Sequence, residues 1–483
     1  MTRVLPTLCL LFLAAAPAAE GTVHSIPLIL HPAASPMPAL KYPLLPELRD
    51  TIPGNAVTHY RQAFKNMKQD APPSRDWYPA IEQWMAVSLK DFPREETAKF
   101  LKQCETTFQE VDAGARSENC DWGLTEEMRK KGVATLLPDV QHMREIAAIL
   151  QLRIRFEIAE GRFDRAIRAM QTGFAMSRHL AESPTLISAL VGVVVSMIVE
   201  KRLEEFIQQP DAPNLYWSLT DLPRPFIDLR KPLQGERIMA YGSFPGLIEA
   251  TADLNAKPWT PDQVEKVVAM FRTFDNQENA ILKVKDEAEI LFRLPARHEA
   301  AKKMLIDQGR PKELVDAMPH IQVGLLVAME QYDQVFDENL KCQSLPFWEA
   351  KPAFAKAEAR QKEIMEAKDG PAIPVARVLF CQVKKVFTTR TRIDRQIAAL
   401  RCVEAVRLYA AAHGGKPPTS LDEIKDAPLP LDPVNNKPFN YRLVGDRVFL
   451  TCAPFPSPAP ANYDTPTFEL ILKPNAETPS GGR

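Results

Sequence analysis

Glycine is scarce in this sequence, and neither sign of charge is in excess. Against 43 prolines there are only 19 glycines in 483 residues, so the connectors are expected to be stiff and extended. The formal net charge is −1, which leaves no bulk attraction to nucleic acid or to an anionic membrane. No two of the seven cysteines stand at C-x-x-C spacing, so zinc ribbons and thioredoxin-type redox chemistry lack their ligands. None of the eight histidines belongs to an H-E-x-x-H pair. There is no phosphate loop and no G-x-G-x-x-G turn after a strand, so no cofactor is expected. Long apolar runs are missing too. The stretch TLISALVGVVVSMIV stops at Glu200 after fifteen residues, too short to span a bilayer, and is expected to be a buried central helix.

What is present begins with a leader-like stretch. Arg3 precedes an apolar segment from Leu8 to Ala16, and Ala16-Pro17-Ala18 fits the small-residue cleavage rule. The expectation is a secretory signal over residues 1–18, no transmembrane span once it is removed, and a periplasmic or extracellular protein. Export makes disulfides plausible among the remaining cysteines, Cys104, Cys120, Cys342, Cys381, Cys402 and Cys452. Cys104 with Cys120 is the favoured pair, closing a loop worth about 3 kcal/mol of chain entropy; buried thiols are the alternative.

Residues 19–54 hold seven prolines between Pro27 and Pro53 and are expected to form an extended lead-in with polyproline character. A helical domain is expected over 55–370. Trp77 and Trp84 are seven apart and share a helix face, as core residues. Ile149, Leu152, Phe156 and Ala159 form one stripe, Gly161 punctuates it, and Phe163, Ala166, Ile167, Met170 and Phe174 form the next. Ser183-Pro184 is expected to start the following helix as N-cap and first residue. Thr260-Pro261-Asp262-Gln263 is a capping box opening a helix toward Leu294. The phrase EGRFDRAIRAM, within 149–180, resembles half of a tetratricopeptide repeat through Gly161, Phe163 and Ala166. Gly173 stands where that family has alanine, and no repeat at its period of about 34 residues is found. An irregular stack of αα-hairpins is expected.

Candidate chemistry is sparse. His142 and Glu145 make an isolated H-x-x-E, whereas carboxylate metal bundles use two such motifs and further glutamates. His179 and His298-Glu299 lack ligand-spaced companions. Gly242-Ser243-Phe244-Pro245-Gly246 superficially suggests a nucleophile elbow, but its serine directly follows the first glycine, so it reads as a loop. The run KKVFTTRTRIDRQIAALR sets Lys384, Lys385, Arg390, Arg392, Arg395 and Arg401 on one helix. Lys384, Lys385, Arg392 and Arg395 are the candidate partner-contact face, weighed against an ordinary solvated helix face.

Residues 371–483 are expected to form a small α+β module: a long helix from Ile373 to His413, a stop at Gly414-Gly415, a short helix capped by Ser420 and Glu423, and a three-stranded antiparallel sheet. The order of its features resembles the globular part of type II secretion pseudopilins. Tyr409, Gly414, Pro417, Leu421, Asp432, Pro433, Pro438, Phe439 and Tyr441 occupy that family's places over about the last 100 residues. The glycine-phenylalanine junction and apolar start of that family's helix are absent, with Lys384 and Lys385 interrupting. Some relatives bind calcium in these loops; Asp432, Asn435 and Asn436 are oxygen donors but too few for a site. Leader, helical body and tail together resemble a group of exported bacterial helical proteins.

The fold class expected is therefore mainly α, an irregular αα-hairpin stack followed by the α+β module. The function expected is an exported helical scaffold or protein-interaction protein of the cell envelope, its partner a protein. An envelope hydrolase with dispersed catalytic residues and a secretion-system accessory protein are the alternatives.

Overall fold

The computed structural model describes residues 25–70, 74–275, 298–366, 383–455 and 466–473. The leader over residues 1–18, Cys381, the continuation of the 261 helix toward Leu294 and the start of the last helix at Ile373 lie outside the described residues.

In chain order the elements are β1 (Ser25–Leu30), β2 (Ile52–Asn55), α1 (Ala56–Asp70), α2 (Ser74–Ala86), α3 (Arg94–Gln103), α4 (Glu105–Ala115), β3 (Ser117–Asn119), α5 (Thr125–Lys131) and α6 (Pro138–Ala159). There follow α7 (Phe163–Ala181), α8 (Leu186–Ile207), α9 (Tyr216–Thr220), α10 (Arg230–Gly242), α11 (Leu247–Ala252), α12 (Pro261–Asp275), α13 (Lys312–Ala317), α14 (His320–Leu340), α15 (Phe347–Glu366) and α16 (Val383–Ala412). The chain closes with β4 (Asn440–Val444), β5 (Arg447–Thr451) and β6 (Thr467–Leu472). The fold is mainly helical with a small C-terminal sheet.

The helical body is centred on α6, α7 and α8. α6 ends where Gly161 takes φ +67°, and the Arg162 N–H reaches back to Glu157 O at 2.9 Å, a closure that satisfies a carbonyl at the helix end. α7 then returns against α6, and α8 lies across both, buried nearly all round. Gly173 and Gly192 let α7 and α8 approach closely: a Cβ on Gly192 would stand 2.5 Å from Ser177 O, and the Ser177 hydroxyl donates to Gly192 O at 2.7 Å. The start of α8 is two residues later than expected. Thr185, not Ser183, is the cap, accepting the Ser188 N–H at 3.2 Å. Pro184 instead packs against α10, with its carbonyl 1.8 Å from where a Cβ on Gly235 would lie. Trp77 is buried and Trp84 half-buried, and both rings contact Phe100.

The sheet holds one strand more than the sequence suggests. Its order is β1-β6-β5-β4, with β4, β5 and β6 antiparallel and β1 joined parallel to β6 from Ser25↔Thr467 to Leu30↔Leu472. Part of the proline-rich lead-in is thus an edge strand. Pro27 is tolerated there because an edge strand need not donate on its outer side. Ile29, two residues on and facing the same way, gives its N–H to Gln208 Oε1 at 3.1 Å. β2 and β3 form a separate two-stranded parallel pair beside α1.

α16 joins the helical body to the sheet. It stops at Gly414 and Gly415, at φ +61° and +82°, with the Gly415 N–H on Ala410 O at 2.8 Å. The short helix after it is a single 3₁₀ turn, Leu421–Glu423, and Ser420 makes no side-chain cap. Glu423 accepts from the N–H and hydroxyl of Thr419, one residue earlier, and from the Tyr409 hydroxyl at 3.1 Å. One apolar core is continuous from α1 through α8 and α16 to Leu28, Leu30, Val448, Leu450, Phe468 and Leu470 in the sheet.

Candidate functional site

The basic run does not form one exposed face. Lys384 is half-buried and pairs with Glu358 at 2.8 Å, while Lys385 is exposed. Arg392 is half-buried, its guanidinium 5.3 Å from the Phe455 ring centre. Arg395 is buried, lies 4.2 Å from the same ring and donates to Ala453 O at 2.8 Å. Of the four candidates, then, Arg395 holds the loop before β6 and cannot meet a partner.

Cys104 and Cys120 are not joined by a disulfide; both are thiols. Cys104 lies between α3 and α4, and α4, eleven residues long, separates it from Cys120 by a rise of about 16 Å. Cys120 donates to His179 O at 3.5 Å. Burial, reinforced by the Glu182 charge, pushes its thiol up to about 12, so it is protonated and a poor nucleophile at neutral pH.

His179, His142, His298 and His413 pack against neighbouring rings or backbone. His179 shares a hydrogen bond of 2.8 Å with the Tyr60 hydroxyl, and burial, with Arg178 beside it, pushes its imidazole down to about 4. The His142 ring stacks on Phe64 at 3.3 Å between centres; burial lowers its pKa. His298 lies against His320. His413 stacks on Tyr409 and its Nδ1 lies 2.8 Å from Tyr409 O. Among the described residues no three His, Cys, Asp or Glu side chains are arranged to hold a metal ion. Asp432 spends its carboxylate on the backbone, accepting from the N–H groups of Val434 at 2.9 Å and Ala453 at 2.8 Å. Ser243 is buried, accepts from Val133 N–H at 3.0 Å and donates to Met239 O at 2.8 Å; it is a packing serine.

The buried carboxylates are also committed. Glu204 meets Gln396 at 2.7 Å and Lys201 at 2.6 Å, and Glu200 accepts from Ser196 at 3.2 Å. Glu236 accepts the Leu186 N–H at the start of α8 at 2.8 Å, and burial pushes its pKa up to about 7. Asp394 accepts the Phe226 N–H at 2.8 Å, and burial pushes it up to about 6. Glu204, Glu236 and Asp394 so hold a neighbouring helix, a helix end and a loop, while Glu200 is bound within its own helix.

One open, largely apolar groove stands out, a cavity of about 470 Å³ lined by Trp259, Pro261, Val264, Glu265, Val268 and Pro319. It lies between the starts of α12 and α14. The expected capping box shapes one wall: the Gln263 N–H bonds Thr260 Oγ1 at 3.3 Å, and Gln263 Oε1 accepts the Thr260 N–H at 2.9 Å. Gln322 of α14 fixes the floor, accepting the Trp259 N–H at 2.8 Å and donating to Lys257 O at 3.2 Å. Glu265 is the one charge in the lining and is exposed at the rim. Such a surface can take an apolar side chain or a short apolar segment, with a carboxylate to select a basic neighbour. Sequence reasoning found Thr260 and Pro261 but not the groove. Trp259 beside Thr260-Pro261 and Pro319 before α14 were its only local signals.

No family model matches the chain, and neither a curated protein nor a solved structure matches it.

Proposed function

We propose that the protein is an exported helical scaffold of the cell envelope that holds an apolar segment of a protein partner in the groove beside Trp259. The groove is the observation that supports this reading: proline and valine surface stays open above the buried Trp259, at a place braced on both sides by a capping box and by Gln322. Aromatic and aliphatic side chains in a preformed depression are the usual anchors of protein recognition. Export is supported by Arg3, the apolar stretch from Leu8 to Ala16 and Ala16-Pro17-Ala18. Among the described residues no helix is long and apolar enough to cross a membrane. A hydrolase would need carboxylates converging on a cleft; the buried carboxylates described above are instead engaged by backbone and side chains, which favours binding over catalysis.

A photo-crosslinking residue at Val264 tests the proposal in cell-envelope preparations. One discrete crosslinked protein is expected, lost in the Trp259→Ala background. The same probe at Leu48, 86% exposed in the N-terminal segment, should give no such product. No product at Val264, or equal products at both positions, would refute the groove as the binding surface.

A further inference from the structure

A pair of histidines adjoins the groove. His298 lies in the helix over residues 298–307 and is 7% exposed, while His320, the first residue of α14, is exposed. Their rings are in contact, with centres 3.9 Å apart. Pro319, which lines the groove, is the residue before His320. Its carbonyl accepts the N–H groups of Gln322 at 3.0 Å and Val323 at 3.2 Å, and Gln322 in turn holds Trp259. His320, the Pro319 wall and the groove floor thus belong to one helical turn.

The pair can carry one proton but resists a second. An imidazolium stacks well on a neutral ring. Two charges at this separation repel, the more so because His298 is shut off from water. The helix start adds to the penalty, since His320 sits at the positive end of the α14 dipole. Burial, then His320 and Lys302, lower the His298 pKa, against the opposing pull of Glu299 and Asp316. Those carboxylates are engaged by lysines: Lys302 lies 3.8 Å from Glu299 and 3.4 Å from Asp316, and Lys312 meets Asp316 at 2.5 Å. An ordinary imidazole takes up its proton near pH 6.5. With the folded value of His298 below that, the packed pair steadies the wall fully above about pH 6.5 and loses this contribution as the pH falls. Outward movement of the exposed His320 relieves the repulsion, and Pro319 moves with it.

We propose that the His298–His320 pair is an acid-operated latch on the groove: doubly charged, it drives the first turn of α14 and Pro319 outward, and the groove releases its apolar segment. This regulation rests on the groove being the binding surface.

Hydrogen exchange of the full chain at pH 7 and pH 5, corrected for the intrinsic pH dependence of exchange, reads the latch without any partner. Protection of the Gln322 and Val323 amides should fall at least about fivefold at pH 5 in the wild-type chain. It should stay level in His320→Gln, a change at an exposed position that leaves one titrating ring. His298→Phe, which keeps a ring under His320, should give the same result. Equal protection at both pH values in the wild type, or a loss that persists in both variants, overturns the proposal. The Val264 crosslink, repeated at both pH values, reads the release. A product that disappears at pH 5 in the wild type and remains in His320→Gln supports control of binding, and a product unchanged at pH 5 overturns it. No product at either pH refutes the groove as the binding surface, while the exchange result still decides whether the latch moves.

Discussion

The two halves of α16 bury arginines in opposite ways. Toward its C-terminal end Arg407 is fully buried and fully engaged. Nη1 meets both oxygens of Glu404 at 2.9 and 3.0 Å, Nη2 meets Ala212 O at 2.8 Å, and Nε meets His31 O at 2.9 Å. Asn214 adds a bond to the Glu404 carbonyl at 2.9 Å. One side chain so ties the end of β1, the loop after α8 and the last helix together. Toward the N-terminal end Arg390 is almost as deeply buried and ties nothing. Burial of a cation is costly in both places; Arg407 recovers that cost through hydrogen bonds, Arg390 through the Phe387 ring and the charges of Asp394 and Asp228. The contrast separates a charge fixed by hydrogen bonds from one held by an aromatic ring and nearby carboxylates.

Breaking the first member should have the largest effect. Arg407→Met leaves Glu404 buried without its cation and is expected to cost about 3–5 kcal/mol in urea unfolding. Adding Glu404→Gln should recover part of that loss, and failure to recover any would mean the pair is not the source of the effect. The second effect concerns Asp394, which stands beside Arg390 but serves Phe226. Its carboxyl is raised from an ordinary 3.8 to about 6, so the folded state holds a proton that the unfolded chain gives up. The stability this confers is present below about pH 4 and is lost as pH rises through 6. Asp394→Asn, which keeps an oxygen for the Phe226 N–H, should flatten that part of the stability profile by on the order of 2 kcal/mol. Thermal melts of both proteins from pH 4 to pH 7 would read it, and parallel profiles would refute the assignment. Smallest is Arg390→Met, which breaks no hydrogen bond and is expected to stay within about 1 kcal/mol of the wild-type stability, or above it. A loss as large as that of Arg407→Met would erase the distinction between the two arginines.

The helices were legible because their signals are local. Gly161, Thr260 with Gln263, and Gly414 with Gly415 end or begin helices through contacts a few residues away. The cap of α8 was misplaced from Thr185 to Ser183 because Pro184 satisfies a local rule while actually packing against Gly235 in α10. β1 was not legible as a strand: Pro27 argues against one, and its pairing partner comes near the other end of the sequence. The fate of the basic run was hidden for a related reason. Arg390 and Arg395 are the same residue type in one helix, but five positions place them about 140° apart around its axis. One therefore faces the 220–228 loop and the other faces Ala453. The groove depended on Gln322 reaching Trp259, a contact across 63 residues, which no window along the chain contains.

The pairing of β1 with β6 also sets a schedule. Ser25 lies against Glu469, its hydroxyl 3.4 Å from a carboxylate 444 residues further along. At synthesis rates of about 5–20 residues per second, β1 emerges roughly half a minute or more before the strand it must join. Until then SIPLIL is an unpaired apolar strand, the kind of segment that associates with other chains. A strand made late is therefore needed to protect one made some 440 residues earlier. Loss of β6 would leave β1 unpaired, and loss of β1 would open the outer edge of β6 instead.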